Sequence, residues 1–280
     1  MKYDLHVHST YSDGIKTLIQ LAEEAVEIGL GGFAITDHDT IDGWQEIEKI
    51  EKNYPLVVIP GVELSTEMNG RDVHVLGYCM KDLETFSAKL KELADSRSRR
   101  VVKIVEKLNE LGVPVELDDV RKIAGEGTIG RPHVAAAMVF HGFVKDKQSA
   151  FERYLNRGKP AYVERMRFTP MEAVELIKKC GGYAVLAHPG LDHAIDFVND
   201  LCKCGLDGLE VHHSSHTVYN SRKFSEIAKE KKLVETSGSD YHGHSEWSHG
   251  RIGSVAVKEG NLPYFLTEYL EEHLKNVERV

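Results

Sequence analysis

Tyr3-Asp4-Leu5-His6-Val7-His8-Ser9, close to the start of the chain, has the pattern of a short β-strand that ends in two histidines. We therefore predict a strand over residues 3–7, followed by an amphipathic helix over residues 18–28 and a second strand over residues 32–35. A strand, a helix and a strand in this order are typical of two parallel strands joined by a helical crossover.

The same alternation continues along most of the chain. Further strands are predicted over residues 56–59, 72–78, 183–186, 208–211, 233–236 and 252–257. Helices are predicted over residues 44–52, 170–179, 194–202, 219–231 and 262–274. About seven such units favour a closed or nearly closed sheet over an open one. The predicted fold class is therefore α/β, a distorted TIM-like (β/α)7 barrel.

The middle of the chain departs from this alternation. Helical patterns follow one another without an intervening strand over residues 83–111, 117–124, 132–140 and 147–155. We interpret residues 83–167 as an all-helical insertion, and residues 1–82 and 168–280 as the barrel.

Composition excludes several classes of protein. The 280 residues are 41% hydrophobic and 28% charged, which indicates a globular chain rather than a disordered or fibrous one. Neither a secretory signal nor an apolar stretch long enough to span a bilayer is visible, and the four cysteines lack the spacing of a disulfide scaffold. We expect a cytoplasmic protein without membrane association.

Charge is distributed unevenly. The net charge of -9 argues against stable binding of duplex DNA by charge alone. Residues 95–167 nevertheless contain 15 Lys and Arg against 10 Asp and Glu, a net charge of +5. This basic middle either faces an anionic substrate or is the solvated face of charged helices.

Many of the 15 histidines, together with several carboxylates, follow or lie in the predicted strands. These candidate residues are His6, His8, Asp13, Asp37, His38, Glu63, His74, His188, Asp240 and His242. The carboxyl ends of parallel strands meet at one edge of a sheet, where α/β folds build their sites. We therefore expect these side chains to lie close together.

Their chemistry indicates metal binding. Residues two apart in an extended segment point to the same side, so His6 and His8 can bind one ion, and Asp240 and His242 have the same spacing. Imidazole and carboxylate ligands together suit Zn²⁺, Mn²⁺ or Fe²⁺ better than Mg²⁺ or Ca²⁺. The pattern predicts a site for two or three divalent ions.

These residues stand in sequence blocks that resemble a known family. The blocks are His6-Val7-His8-Ser9 with Ser12-Asp13-Gly14, Thr36-Asp37-His38, His188-Pro189 and Gly238-Ser239-Asp240-Tyr241-His242, with Glu63 and His74 between them. Together they resemble the PHP (polymerase and histidinol phosphatase) family of metal-dependent phosphoesterases. The helical insertion further resembles a stand-alone branch that acts on nucleoside 3′,5′-bisphosphates and, in some members, trims short oligonucleotides from the 5′ end.

The resemblance implies a trinuclear centre. His6, His8, Glu63 and Asp240 would hold the first ion; Glu63, His74 and His188 the second; and Asp13, His38 and His242 the third. Asp37 would either ligate an ion or orient a liganding imidazole. From its position just after the strand over residues 208–211, His212 is a candidate for orienting a ligand, for contacting the substrate or for an exposed position.

The implied reaction is hydrolysis of phosphate monoesters of small nucleotides by a metal-bridging hydroxide, with Asp13, Glu63, His188 and Asp240 acting through the ions. The alternatives are a 5′-3′ exonuclease on short oligonucleotides, a histidinol phosphatase and a non-catalytic metal-binding domain. Arg131 and His133, at the start of a predicted helix, are candidates for binding a second phosphate. A structural salt bridge is the alternative role for Arg131.

Overall fold

The computed structural model describes residues 1–125, 129–164, 168–243 and 250–277, with side chains described up to residue 273 in the last segment. The strands of the described residues form one eight-stranded sheet. They are β1 (Lys2–Val7), β2 (Gly32–Ile35), β3 (Val57–Met68), β4 (Arg71–Tyr78), β5 (Tyr183–Leu186), β6 (Gly208–His213), β7 (Val234–Gly238) and β8 (Val257–Lys258).

The sheet curls into a nearly closed barrel. Its strand order is β7-β6-β5-β4-β3-β2-β1-β8. Beyond the end of β7, the backbone N–H of Asp240 donates to the carbonyl of His6 at 2.8 Å, and that of His8 donates to the carbonyl of Tyr241 at 2.9 Å. These bonds join the segment after β7 to β1, next to the short strand β8 at the other end of the strand order. The predicted α/β barrel is therefore confirmed.

Two strands differ from the predicted units. β4 runs antiparallel to both β3 and β5, because only Asn69 and Gly70 separate β3 from β4 and leave no room for a crossover helix. Both residues have positive φ, 55° and 78°, as a tight two-residue hairpin turn requires. β8 is two residues long rather than the predicted six and pairs antiparallel with β1.

Helices surround the strands or follow one another in the middle of the chain. They are α1 (Leu18–Glu27), α2 (Ile47–Asn53), α3 (Leu83–Glu110), α4 (Leu117–Ala124), α5 (Arg131–Phe140), α6 (Lys147–Ala150), α7 (Pro170–Lys179), α8 (Val198–Lys203), α9 (Val218–Lys231) and α10 (Tyr264–Val277). A π-helical turn, Phe151–Leu155, continues α6, and 3-10 turns span Asp42–Glu46, Leu191–Phe197 and Glu259–Asn261.

Local sequence explains where two of the barrel helices begin. The Thr17 side chain accepts a hydrogen bond from the backbone N–H of Gln20, whose own side chain accepts from the backbone N–H of Thr17, a reciprocal cap at the start of α1. Thr169 and Glu172 form the same arrangement before α7, where Pro170 is the first helical residue. These caps determine the residue at which each helix begins after the preceding loop.

The chain divides into two compact units, Met1–Ser87 with Phe168–Val280, and Ala88–Arg167. In the barrel unit, α1 buries one apolar face in the same core cluster as Phe33 and Ile35 of β2. The helical unit has its own core, which includes Val101, Ile104, Leu108, Val115, Val120, Val134, Met138 and Leu155. Among the described residues, no helix is both long and apolar enough to cross a membrane.

Candidate metal centre

Glu63, on β3, is surrounded by imidazole rings. Its Oε1 atom lies 2.8 Å from His74 Nδ1 and 2.8 Å from His188 Nε2. Its Oε2 atom lies 3.1 Å from His8 Nε2, 3.2 Å from His38 Nδ1 and 3.3 Å from His6 Nε2. One buried carboxylate therefore lies beside five histidines that come from or follow four different strands.

Four donor atoms around Glu63 form a compact group. His6 Nε2 and His8 Nε2 lie 3.3 Å and 3.2 Å from Asp240 Oδ1, in addition to their contacts with Glu63. Nitrogen and oxygen ligands about 2.1 Å from a tetrahedral ion are separated from each other by roughly 3.4 Å. The spacing of 3.1–3.3 Å therefore fits donors that share one cation.

Three of these four atoms have no hydrogen-bond partner, and neither does one ring nitrogen of His188. His6 Nε2, His8 Nε2, Glu63 Oε2 and His188 Nδ1 are buried side-chain atoms for which the structure offers no hydrogen-bond partner. Buried polar atoms without partners are costly and rare in folded proteins. Three of these atoms, His6 Nε2, His8 Nε2 and Glu63 Oε2, converge on one point. A cation bound there would remove the energetic cost of burying them without hydrogen bonds.

A second group surrounds the exposed carboxylate of Asp13. Its Oδ1 atom lies 3.2 Å from His242 Nε2 and 3.7 Å from His8 Nδ1, and its Oδ2 atom lies 3.9 Å from His38 Nε2. These four residues offer donor atoms within 4.8 Å of one another. His38, Glu63 and His74 form a further group of this kind.

The structure thus brings all nine predicted ligands together: His6, His8, Asp13, His38, Glu63, His74, His188, Asp240 and His242. These three groups share members, since Glu63, His8 and His38 each belong to two of them. Their distances and chemistry fit divalent metal ions with mixed nitrogen and oxygen ligands.

Two of these residues occupy an unusual backbone conformation. His188 has φ 24° and Asp240 has φ 55°, in the left-handed region that residues other than glycine seldom adopt. The backbone N–H of His188 donates to Glu210 Oε2 at 2.8 Å, and that of Asp240 donates to the carbonyl of His6. The surrounding hydrogen bonds therefore hold a strained backbone where the site needs it.

Charge inside the centre is balanced among closely packed groups. Burial lowers the pKa of His8, but Asp240 and Glu63 outweigh that effect and raise it to about 10. Burial lowers the pKa of His38 to about 4 despite the nearby carboxylates of Glu63 and Asp13. Burial alone would raise the pKa of Glu63, yet the surrounding histidines hold it well below its usual range. Without ions, a protonated His8 therefore offsets part of the negative charge of Glu63 and Asp240.

One side of the centre faces solvent. The side chains of His6, His8 and Glu63 are at most 1% exposed, whereas Asp13 is 43%, His74 23% and His38 21% exposed. A ligand can therefore reach the centre over Asp13, His38 and His74.

Asp37 organises the loop that carries two of the predicted ligands. Its buried carboxylate accepts hydrogen bonds from Ser9 N at 2.8 Å, Ser9 Oγ at 2.7 Å and Ser12 Oγ at 2.5 Å. Ser12 Oγ in turn lies 3.5 Å from His8 Nδ1. Of the two predicted roles, these contacts correspond to orienting ligands.

Of the roles considered for His212, the structure corresponds to an exposed position. The pairing of β6 with β7 shifts register between Glu210 and His212, so strict alternation along the strand is broken. The shift leaves the His212 side chain exposed, and the neighbours Glu210 and His213 are buried instead. His212 lines an open cleft of about 770 Å³ with residues that include His216 and Arg222.

Sequence reasoning also missed Asp4, which lies within β1. Its carboxylate accepts hydrogen bonds from Ser239 Oγ at 2.6 Å, Ser239 N at 2.9 Å and Gly253 N at 2.7 Å. Burial raises the pKa of Asp4 to about 6, although these hydrogen bonds oppose the rise. Asp4 therefore anchors the segment that carries Asp240. The sequence signal that could have indicated Asp4 was a carboxylate within a predicted, largely apolar strand.

Arg131 and His133 lie in the helical unit, at the first turn of α5. The Arg131 guanidinium lies 5.7 Å from the centre of the Phe151 ring, and His133 Nδ1 accepts a hydrogen bond from Gly130 N at 3.0 Å. The predicted salt bridge of Arg131 has no counterpart among the ion pairs found between described residues. Two further histidines of the sequence, His244 and His249, lie outside the described residues.

The family model for the PHP domain matches residues 4–157 of this chain. The chain belongs to the PHP family. This match, with the relatives below, confirms the family expected from the histidine-containing motifs and the expected activity class, a metal-dependent phosphoesterase.

Similar proteins extend over nearly the whole chain. A 5′-3′ exoribonuclease of Haemophilus influenzae is 34% identical over 88% of this chain and 92% of its own length. A phosphoribosyl 1,2-cyclic phosphate 1,2-diphosphodiesterase of Eggerthella lenta is 31% identical over 91% and 98%, respectively. A 3′,5′-nucleoside bisphosphate phosphatase of Chromobacterium violaceum is 32% identical over 87% and 88%. All three relatives hydrolyse phosphate esters.

A solved structure agrees with this assignment. A protein from Bifidobacterium adolescentis, described as a metal-dependent phosphoesterase, superposes with a TM-score of 0.77 at 30% identity, covering 92% of this chain and 93% of the other.

Proposed function

We propose that this protein removes phosphate from small nucleotides such as nucleoside 3′,5′-bisphosphates, using two or three Mn²⁺, Zn²⁺ or Fe²⁺ ions held by the nine clustered residues. The observation that carries the proposal is the convergence of buried nitrogen and oxygen atoms without hydrogen bonds around Glu63. When bound, divalent ions lower the pKa of coordinated water and neutralise phosphate oxygens during in-line attack.

The protein's own groups prepare the centre for that chemistry. Glu63 contacts histidines of two donor groups at once and so fixes the distance between them. Asp240 and the buried rings of His6 and His8 close the inner side of the centre. Because Asp13, His38 and His74 border the open side, they are the residues that a bound phosphate ester meets first.

The choice of a nucleotide substrate is supported by the bisphosphate phosphatase of Chromobacterium violaceum and by the basic middle segment. Within that segment, Arg131 and His133 are proposed to bind the second phosphate. Arginine suits this role because its guanidinium pairs with phosphate through two parallel hydrogen bonds. We further propose a cytoplasmic protein that does not bind duplex DNA stably, in line with its net charge of -9.

A comparison of substrates tests the proposal. Phosphate release should be measured from a nucleoside 3′,5′-bisphosphate, a nucleoside 5′-monophosphate, histidinol phosphate and a short single-stranded RNA. We expect the bisphosphate to have the highest kcat/KM. Similar values for all four substrates would contradict the proposed specificity, and a preference for histidinol phosphate would replace it.

The role of Arg131 needs a matched control. Arg131→Ala should raise KM for the bisphosphate far more than for a simple chromogenic phosphate ester. Arg153, whose guanidinium also lies over an aromatic ring, 5.1 Å from the centre of Tyr154, provides the control variant Arg153→Ala. Equal effects of Arg131→Ala on both substrates, or equal effects of the two variants, would remove Arg131 from the substrate site.

A second candidate function is 5′-3′ exonuclease activity on short oligonucleotides, favoured by the similarity to the Haemophilus influenzae exoribonuclease. It predicts stepwise release of 5′ mononucleotides from a labelled RNA and strong inhibition by salt. Products that appear only as inorganic phosphate, with the RNA length unchanged, would favour the phosphatase.

A further inference from the structure

Two buried residues of β6 face the metal centre without belonging to the nine proposed ligands. Glu210 is fully buried and His213 is 4% exposed. The register shift between Glu210 and His212 accounts for their spacing of three residues, since it directs both side chains inward.

Glu210 contacts two ligand-bearing segments. Its Oε1 and Oε2 atoms lie 3.1 Å and 3.3 Å from His6 Nδ1. Its Oε2 atom also accepts a hydrogen bond from the backbone N–H of His188 at 2.8 Å. With Nδ1 of His6 donating to Glu210, the proton of the neutral ring is on Nδ1, and the lone pair of Nε2 is directed at Glu63 and Asp240.

The backbone of β7 restricts this arrangement. A Cβ atom added to Gly238 would lie 2.2 Å from His6 Cβ and 2.8 Å from Glu210 Oε1. Glycine is therefore required for the close packing of β7 against this pair.

His213 contacts the proposed ligand Asp240, as Glu210 contacts the proposed ligand His6. The backbone N–H of Ser215 donates to His213 Nδ1 at 3.1 Å, so Nδ1 is an acceptor and the proton of a neutral His213 ring lies on Nε2. That Nε2 atom is 3.3 Å from Asp240 Oδ2, whereas Asp240 Oδ1 faces His6 and His8. The two oxygens of Asp240 thus face different partners.

We propose that Glu210 and His213 are positioning residues for a single ion of the centre, the one assigned to His6, His8, Glu63 and Asp240. Glu210 fixes the ring and the tautomer of His6, and His213 fixes the carboxylate of Asp240. The inference rests on the proposed metal-binding role of those four residues. Groups that orient metal ligands in this way typically contribute 10- to 100-fold to metal affinity.

The test measures metal binding in the absence of substrate. Metal-stripped wild type, Glu210→Gln and Glu210→Ala should be titrated with Zn²⁺ by calorimetry, with bound zinc counted by mass spectrometry. We expect Glu210→Ala to weaken one class of site by about 10- to 100-fold and to leave the others unchanged. Glu210→Gln should be weakened less, because its carbonyl still accepts from His6 while its amide opposes the N–H of His188. His213→Gln should weaken the same class.

Glu51 of α2 provides a matched control. Its carboxylate also accepts a backbone hydrogen bond, from Val58 N at 2.9 Å, and also contacts a histidine, His273 Nε2 at 2.8 Å. Neither partner is a proposed ligand, so Glu51→Gln should bind zinc like wild type.

Three results would overturn the inference: unchanged zinc binding in both Glu210 variants, equal weakening of every site, or equal weakening in Glu51→Gln. Equal weakening of every site would indicate general damage to the fold rather than positioning of one ion. The outcome is separable from the proposed function. A wild type that binds zinc but hydrolyses no phosphate ester refutes only the function, whereas an active wild type with unaffected Glu210 variants refutes only the positioning role.

Discussion

Replacing Glu63 by glutamine should disable the metal centre while preserving its shape. The substitution exchanges one oxygen for an amide group and removes the negative charge. Since the two oxygens of Glu63 face His74 and His188 on one side and His6 and His8 on the other, two ion sites each lose an anionic ligand atom. We therefore expect both sites to weaken together.

The size of the effect follows from the number of ligands. Four-ligand zinc sites bind with about 10–16 kcal/mol, or roughly 3 kcal/mol for each ligand, so each affected site should weaken about 100-fold. At a metal concentration about ten times the wild-type Kd, occupancy of each site falls from roughly 90% to roughly 9%. Because turnover requires both ions, kcat should fall about 100-fold.

Metal content after equilibrium dialysis and kcat on a chromogenic phosphate ester are the two measurements. Glu67→Gln, the same substitution four residues further along β3, is the control and should behave as wild type. A Glu63→Gln protein with wild-type metal content and turnover would refute the assignment of Glu63 as the shared ligand.

Three further predictions concern metal and pH. A chelator should lower the Tm, because ions that saturate a site to about 100 times Kd stabilise the fold by roughly 2.7 kcal/mol per site; an unchanged Tm would argue against bound ions. With the pKa of metal-free His8 raised to about 10, an ion must displace its proton. Despite burial, the pKa of His6, a proposed ligand of the same ion, is also raised by nearby carboxylates. Zn²⁺ affinity should therefore fall at least about tenfold for each pH unit from 8 to 6, as measured by calorimetry, and a flat profile would contradict this. Asp37→Asn should loosen the loop around Ser9 and Asp13, weakening the ion assigned to Asp13 most; equal weakening of all sites in a zinc titration would oppose that role.

The positions of the ligands were predictable because they follow a general property of barrels. His6, His38 and His188 lie at or just beyond strand ends, and parallel strands bring those ends to one edge. His74 is an exception, because it does not lie at the end of a strand. It lies within antiparallel β4, opposite Ser65, which places it near Glu63 through a hairpin rather than through a strand end.

The residues around the ligands were harder to predict, since they depend on backbone irregularities. The shift in β6 directs Glu210 and His213 inward and leaves His212 in solvent, and no residue type in that segment signals the shift. Likewise, the contact of Asp4 with Ser239 joins residues 235 positions apart, which only the closure of the barrel brings together.

The central claim, that the histidine and carboxylate cluster is a metal centre, is tested most directly by anomalous diffraction from crystals of the Mn²⁺-loaded protein. We predict anomalous peaks at two or three positions: among His6, His8, Glu63 and Asp240; between Glu63, His74 and His188; and among Asp13, His38 and His242. Crystals grown with saturating Mn²⁺ that show no anomalous peak at the cluster would contradict the account.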